Sequence, residues 1–188
     1  LMEVAMGLQQ KPKQAEDILA AIALYEDAAA LCGEAQPLLL GRIRARLATA
    51  LMGLPAETAE PLERARELLR LALAAFGDDV AAEEVAEAEM NLGLALQTLA
   101  GHGRARIQDA IGAYQRALRA FRKRDHPREY AILHSNLATA FLSVSMPGDG
   151  GKLSEALAVQ SFEEGLSAVN LIDHPVEIAD FASVRFEA

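Results

Sequence analysis

A six-residue pattern recurs along the chain at a fixed spacing. It reads RLATAL, NLGLAL and NLATAF, and its marker leucines, Leu47, Leu92 and Leu137, follow one another at intervals of 45 residues. Self-similarity at a fixed period of this length is typical of repeat proteins, in which each unit buries its apolar face against its neighbours. The repeat therefore constrains the fold more than any other feature of the chain.

A second pattern interleaves with the first and predicts a second helix in each unit. It reads AIALYEDAAALC, ARELLRLALAAF, AIGAYQRALRAF and AVQSFEEGLSAV, starting at Ala21, Ala65, Ala110 and Ala158. Apolar or small residues recur in each segment at the spacing that forms one stripe of an amphipathic helix, with Arg66 as an exception in the second. We therefore predict an amphipathic second helix in every unit, with one stripe of apolar or small residues that includes an aromatic side chain.

Segments rich in Gly and Pro separate the two patterns and predict the turns. They cover residues 53–61, 100–108 and 145–152, and such residues end helices and supply turns. Each unit is then a helical hairpin, and we predict an all-α fold with units at 1–40, 41–77, 84–124 and 128–172 and a terminal helix at 175–187. The whole chain, 1–188, is interpreted as one repeat domain.

Small residues follow each marker leucine, as Ala48, Gly93 and Ala138. We expect facing helix backbones to approach closely at these positions, where a bulky side chain would overpack the contact at a cost of about 1–3 kcal/mol.

Composition narrows the classes of partner. Hydrophobic residues make up 52% of the chain but aromatic residues only 5%, and a core of Ala and Leu favours helices. The net charge of −9 disfavours nucleic acid or an anionic membrane as the main partner.

The single cysteine, Cys32, cannot form an internal disulfide and is expected to pack as a small hydrophobe. With no membrane span or signal peptide in view, we expect a cytoplasmic location. The first and last residues suggest a fragment of a longer protein.

The segment AEMNLGLALQTL, followed by DAIGAYQRALRAF, resembles the tetratricopeptide repeat family. Leu92, Gly93 and Leu96 match the signature places of its first helix, and Ala110, Tyr114 and Ala117 those of its second. The longer period and the run DHPREYAILHSNLA are similar to the extended repeats of kinesin light chains and their bacterial relatives. The resemblance covers residues 15–186 and implies a right-handed α-solenoid of helix-turn-helix repeats that binds proteins or peptides in its concave groove.

The resemblance also implies which residues face that groove: those one and five positions before each marker leucine. They are Arg42, Arg46, Glu87, Asn91, Ile132 and Asn136. The amides could bond to an extended peptide backbone and the guanidinium groups to a carboxylate. Alternatively, the two asparagines bond to a neighbouring helix or cap a local backbone group. Glu87 and Ile132 depart from the family's carboxylate-binding pattern, which favours an internal peptide of mixed character.

A dense basic run forms a second candidate site. It contains Arg116, Arg119, Arg122, Lys123 and Arg124. It could receive an acidic segment or a phosphate, or it could be a solvated helix face whose cations favour the helix dipole.

No motif indicates catalysis, a metal or a cofactor. The histidines at 102, 126, 134 and 174 lack zinc-ligand spacing, and the glycine-rich loops lack the Lys-Ser/Thr of a phosphate cradle. The His-Pro pairs at 126–127 and 174–175 are interpreted as boundaries between one helix and the next.

We expect a non-catalytic scaffold that binds a protein or peptide; the alternative is a ligand- or peptide-sensing regulatory module of a larger multidomain protein. The apolar terminal helix could mediate homo-oligomerisation.

Overall fold

The computed structural model describes residues 1–10, 12, 15–55, 58–77, 80–144 and 148–173. Within these ranges the chain forms eight α-helices and no strand. They are α1 (Met2–Gln10), α2 (Ala15–Cys32), α3 (Pro37–Met52), α4 (Glu60–Ala75), α5 (Ala82–Gly101), α6 (Ile107–Ala117), α7 (Pro127–Leu142) and α8 (Asp149–Asp173). The all-α prediction is confirmed. The predicted helix at 175–187 lies outside the described residues.

The helices pack in chain order as four consecutive hairpins. Each helix contacts the next, and α1, α3, α5 and α7 also contact one another in succession. In the described part of the chain, no even-numbered helix reaches another even-numbered helix. The odd-numbered helices therefore lie on the inner side of the stack, where successive units come closest. The hairpins run from α1 to α2, α3 to α4, α5 to α6 and α7 to α8, and α3 begins at Pro37.

Proline and glycine mark helix ends as their chemistry requires. Pro37 and Pro127 begin α3 and α7, where a missing N–H leaves no hydrogen bond unmade. After α5, Gly103 adopts φ +69°, and its N–H donates to the carbonyl of Ala100 at 2.9 Å. The N–H of Arg104 donates to the carbonyl of Leu99 at 2.8 Å, which completes a Schellman motif. No described helix is both long and apolar enough to cross a bilayer.

The core includes the marker leucines and the small residues beside them. Leu47, Leu92 and Leu137 are 3–4% exposed. A Cβ on Gly93 would lie 2.4 Å from the ring of Tyr114 on α6, and Tyr114 itself is fully buried. The ring of Tyr114 therefore packs directly on Gly93, where a bulkier residue would overpack the contact.

Two tyrosines of the second helices anchor their hairpins in the same way. Tyr25 of α2 donates its hydroxyl to the Oε1 of Gln9 on α1 at 2.8 Å, and Tyr114 of α6 donates to Gln97 Oε1 on α5 at 2.7 Å. Both rings are fully buried, and burial raises the pKa of each phenol above its usual value. The phenols thus stay neutral and donate across the hairpin.

The helix α6 is shorter than its sequence pattern predicts. It ends at Ala117, and the next residues form tight turns in which the N–H of Arg119 donates to the carbonyl of Arg116 and that of Ala120 to Ala117. Phe121 is nevertheless 5% exposed, because the turn folds it back onto the core.

The stripe predicted for α8 is buried only at its small members, Ala158 and Gly165. The residues that α8 buries are Ser154, Ala158, Ser161, Gly165 and Ala168, which recur every three or four positions and face α7. The large apolar residues of the predicted stripe are exposed instead: Val159, Phe162, Leu166 and Val169. The small stripe lets α8 lie close against α7 along its length, and the helix is turned accordingly.

His134 lies in the contact between α7 and α8. Its ring centroid is 4.3 Å from that of Tyr130, and its buried Nδ1 has no hydrogen-bond partner among the described residues. Burial lowers the pKa of His134 from 6.5, Glu164 opposes this shift and Lys123 adds to it. Between the lowered pKa and 6.5 the unfolded chain binds more protons than the folded one, so stability rises with pH across that window and is lost as the pH falls through it.

We expect His134→Phe to remove this pH dependence, because phenylalanine keeps a ring against Tyr130 and does not titrate. The measurement is the thermal unfolding midpoint at intervals between about pH 5 and pH 8. The wild-type midpoint should fall toward the acid end more steeply than that of His134→Phe, while His102→Gln, in an exposed turn, should follow the wild type. If the unfolding midpoints of the wild type and of His134→Phe changed with pH in parallel, His134 would not be the source of the pH dependence.

Candidate functional site

An open cleft lies on the inner side of the stack, between α1, α3 and α5. Its volume is about 330 Å³. We call it the inner cleft, and its lining residues are Met2, Met6, Arg42, Ala45, Arg46, Thr49, Phe76, Glu84, Glu87, Ala88 and Asn91. Polar and charged side chains from α3 and α5 line it together with apolar groups that include the two methionines of α1. Four of the six predicted groove residues meet here.

Arg42 and Glu84 form a two-pronged ion pair across α3 and α5. The guanidinium donates from Nε to Oε1 at 2.7 Å and from Nη2 to Oε2 at 2.9 Å. Hydrogen bonding from Arg42 lowers the pKa of Glu84, against the opposing effect of burial, and the same pair raises the pKa of Arg42. The fork of Arg42, predicted as a carboxylate receptor, already holds a carboxylate of the chain itself.

Arg46 is held less tightly. Its Nη1 lies 3.6 Å from Oε1 of Glu87, which is an ion pair but beyond hydrogen-bond distance. The Arg46 side chain is 39% exposed, so its donors can reach a molecule in the cleft. Glu87, the predicted groove residue on α5, is thus both a partner of Arg46 and a source of negative charge in the cleft.

Asn91 lies one turn further along α5 and faces α3. Its Nδ2 lies 3.4 Å from Thr49 Oγ1, a long and weak hydrogen bond. Thr49 donates its own hydroxyl to the Ala45 carbonyl one turn back at 3.0 Å. Asn91 is thus in contact with the neighbouring helix, while its amide oxygen has no hydrogen-bond donor among the described residues.

The remaining two predicted groove residues lie on α7, outside the inner cleft. Ile132 is 45% exposed, and Asn136 is half-buried. Within the described ranges the Asn136 side chain makes no hydrogen bond. At these positions the face of α7 is therefore more apolar than the faces of α3 and α5, and it carries no charge.

The basic run is partly neutralised by carboxylates. Arg116 donates from Nε and Nη2 to the two carboxylate oxygens of Glu89 on α5 at 2.6 and 2.9 Å. Lys123 Nζ lies 3.7 Å from Glu164 Oε2 on α8. The other three members of the run, Arg119, Arg122 and Arg124, have no ion-pair partner in the described part of the chain. Arg116 therefore has a packing role between α5 and α6, and the run follows the end of α6 and does not form a continuous helix face.

Several lining residues of the inner cleft were not predicted. Glu84 precedes Glu87 by three residues and Thr49 follows Arg46 by three, so each lies on the same helix face as a predicted residue. Helical spacing could have identified both. Met2 and Met6 belong to a first helix that lacks the Asn-Leu motif, so the 45-residue pattern carried no signal for them.

No group of three His, Cys, Asp or Glu side chains positioned to hold a metal ion occurs within the described ranges. His126 lies 3.8 Å from Glu83 and packs edge-on against Phe121 with ring centroids 5.2 Å apart, so it joins α7 to its neighbours. His174 lies outside the described residues. Compared with protein-family models and with curated proteins, the chain matches none of them.

Proposed function

We propose that the chain is a tetratricopeptide-like α-solenoid that binds a protein or peptide in the inner cleft and performs no catalysis. The repeat type is supported by the spacing of the marker leucines and by the contact of Gly93 with Tyr114, at the signature positions of both helices. Ordered packing of helical hairpins creates extended inner surfaces that such proteins use for binding. A cytoplasmic location is part of the same proposal.

The inner cleft carries the proposal, because three successive inner helices contribute to it. It offers an apolar wall at Met2 and Met6 and polar groups at Arg46, Thr49 and Asn91. An extended peptide presents backbone donors and acceptors together with side chains of both kinds, and a mixed surface of this sort suits it. A cleft for one small apolar molecule would be more enclosed and less charged.

The charge arrangement specifies the peptide further. Arg42 is held by Glu84 in a close fork, while Arg46 contacts Glu87 at 3.6 Å only. A carboxylate on the peptide would therefore bind at Arg46 and not at Arg42. We propose an internal peptide segment that places one acidic side chain at Arg46, backbone groups at Asn91 and an apolar side chain on the methionines.

Selection of peptides from a random display library against the full chain tests this proposal. The selected peptides should bind Arg46→Ala with Asn91→Ala at least about tenfold more weakly, since each hydrogen bond to a charged group contributes about 1.5–3 kcal/mol and 1.4 kcal/mol is a factor of ten. The matched control is Arg70→Ala with Gln115→Ala, which removes one guanidinium and one carboxamide from exposed positions of α4 and α6.

Titration calorimetry gives the affinities, and far-UV circular dichroism checks that both double variants fold. Equal affinity of the selected peptides for the wild type and for the Arg46–Asn91 variant would contradict the proposal. Failure of every library to yield a peptide that binds the folded chain would contradict it as well.

A further inference from the structure

The exposed face of α8 combines large apolar side chains with carboxylates. Val159, Phe162 and Leu166 are 57%, 43% and 65% exposed, and they recur every three or four residues, so they form one stripe. Glu163 is exposed and lies four residues after Val159 and three before Leu166, which places it on the same side of the helix. Glu155, also exposed, lies one turn before Val159. We call these five residues the α8 face.

The carboxylates of the α8 face have no cationic partner on their own helix. The single basic residue of α8, Lys152, already lies 3.2 Å from Asp149. Neither Glu155 nor Glu163 forms an ion pair with any residue in the described part of the chain. The α8 face is therefore both apolar and negatively charged, and a continuous apolar stripe of this kind indicates a surface that another element covers.

A depression of the opposite charge lies where α5 begins and α6 ends. Its volume is about 340 Å³. We call it the hairpin depression, and its lining residues are Ala82, Val85, Ala86, Glu89, Arg116, Arg119 and Ala120. Alanine and valine make up most of this lining, and Glu89 and Arg116 neutralise each other in their two-pronged pair.

Arg119 supplies the unbalanced charge of the hairpin depression. It is exposed and has no ion-pair partner within the described ranges. Arg122 and Arg124, which are exposed as well, follow within five residues and are likewise unpaired there. The hairpin depression is thus an apolar surface with a positively charged edge.

The hairpin depression is separate from the inner cleft. In helical spacing, Ala86 and Glu89 lie on one side of α5, whereas Glu84, Glu87 and Asn91 lie on the opposite side. The two sites share no lining residue. Whatever binds in the hairpin depression can therefore do so without entering the inner cleft.

We propose that the α8 face of one molecule docks into the hairpin depression of a second copy of the chain. The large side chains at Phe162 and Leu166 cover the apolar lining, and Glu163 meets Arg119 at its edge. The two surfaces match in apolar character and are opposite in charge. Because they are different patches of one chain, the contact is heterologous, so it repeats from copy to copy and joins the molecules head to tail.

Charge favours this arrangement over two others. A twofold pairing of two α8 faces would bring the carboxylates of Glu155 and Glu163 near those of the other copy, and like charges oppose association. An anionic membrane surface would be repelled by the same carboxylates, since helices that lie on such surfaces present Lys and Arg on their polar side.

Sedimentation velocity of the full chain at increasing concentrations tests the proposal. The mean mass of the wild type should rise with concentration, and it should rise less at high ionic strength, because salt screens exposed charges. Arg119→Glu and Glu163→Arg should each weaken the association at least about tenfold, since each turns an attraction into a repulsion. Both changes in one chain should restore most of it. Arg70→Glu, at an exposed position of α4, changes the net charge as Arg119→Glu does and should leave the association unchanged.

A wild type that stays monomeric at every concentration would overturn the proposal. So would association that Arg119→Glu leaves unchanged, or a double variant that associates no better than the single ones. Far-UV circular dichroism checks that each variant folds. Arg119 and Glu163 lie outside the inner cleft, so the result is independent of whether a peptide binds there.

A cross-link tests the same contact when the association is weak. In a Cys32→Ser background, the Leu166→Cys protein mixed with the Ala82→Cys protein should react with a short bismaleimide to give dimers that contain one of each. The Leu166→Cys protein alone should give few dimers, because α8 faces do not meet head to tail. A mixture of Leu166→Cys with Arg70→Cys is the control. Dimers from Leu166→Cys alone, which indicate twofold pairing, or equal yields from the two mixtures would overturn the proposal.

Discussion

Replacing Gly93 with alanine is expected to lower the free energy of unfolding by about 1–3 kcal/mol, the usual cost of overpacking a core. The new Cβ would lie 2.4 and 2.6 Å from two ring carbons of Tyr114. The ring cannot move aside easily, because it is fully buried and its hydroxyl is bonded to Gln97 at 2.7 Å. Alanine gains about 1 kcal/mol in helix propensity over glycine, which reduces the loss but does not reverse it.

Three further variants make this prediction specific: Gly101→Ala, Tyr114→Leu and Gly93→Ala combined with Tyr114→Leu. Gly101→Ala on the same helix meets no atom within 4 Å and should be neutral or slightly stabilising. The second hairpin shows how alanine is accommodated: Ala48 and Leu69 lie 45 residues before Gly93 and Tyr114. Gly93→Ala should therefore lower the free energy of unfolding less in the Tyr114→Leu protein than it does in the wild type. Urea unfolding measures all four, and a strictly additive double variant would contradict the steric explanation.

Replacing Arg116 with alanine is expected to destabilise the fold by about 2–3 kcal/mol, because a buried carboxylate loses two charge-assisted hydrogen bonds. Glu89 is 9% exposed and receives both bonds from Arg116, at 2.6 and 2.9 Å. Water reaches the arginine, whose side chain is 44% exposed. The cost therefore stays below the 3–5 kcal/mol of a fully buried broken pair.

The neighbouring Arg119 is the matched control. It is exposed and has no ion-pair partner among the described residues, so Arg119→Ala should change stability by less than about 0.5 kcal/mol. Glu89→Leu with Arg116→Leu removes both charges together and should cost far less than Arg116→Ala. Equal destabilisation by Arg116→Ala and Arg119→Ala would show that Arg116 belongs to a solvated surface and not to the contact between α5 and α6.

Sequence periodicity predicted the features that repeat. The marker leucines are buried, and Gly93 lies under Tyr114, because packing between neighbouring helices places a large apolar residue and a small one at the same two positions of each unit. The helix ends at Pro37, Pro127 and Gly103 follow from backbone chemistry alone. Such features depend on local rules or on the repeat itself, and both can be identified in one sequence.

The orientation of α8 could not be predicted in this way. In the alignment of the second helices, Phe162 takes the position that Tyr114 has in α6. The small residues Ala158 and Gly165, however, allow a closer approach to α7, and Phe162 is turned outward to 43% exposure. A stripe of small residues and a stripe of large apolar residues compete on one helix, and only the packed structure decides between them.

The charges of the inner cleft show a second limit of sequence reasoning. Arg42 and Arg46 on α3 face Glu84 and Glu87 on α5, more than forty residues later in the chain. Sequence position indicated that three of these four residues share a surface, but not that they would form pairs. Pairing changes their chemistry, since Arg42 donates two hydrogen bonds to Glu84, whereas Arg46 makes only a looser ion pair with Glu87. We therefore expect peptide binding by the cleft to depend on Arg46 and not on Arg42.

Hydrogen–deuterium exchange with a bound peptide tests the location of binding most directly. Full-length protein saturated with a library-selected peptide is compared with the free protein, segment by segment. Binding in the inner cleft should slow exchange in α3 around Arg46 and in α5 around Asn91, and should leave the exposed outer turns of α4 and α6 unchanged. Protection confined to α4, α6 or the basic run from Arg116 to Arg124, with α3 and α5 unaffected, would contradict the central claim.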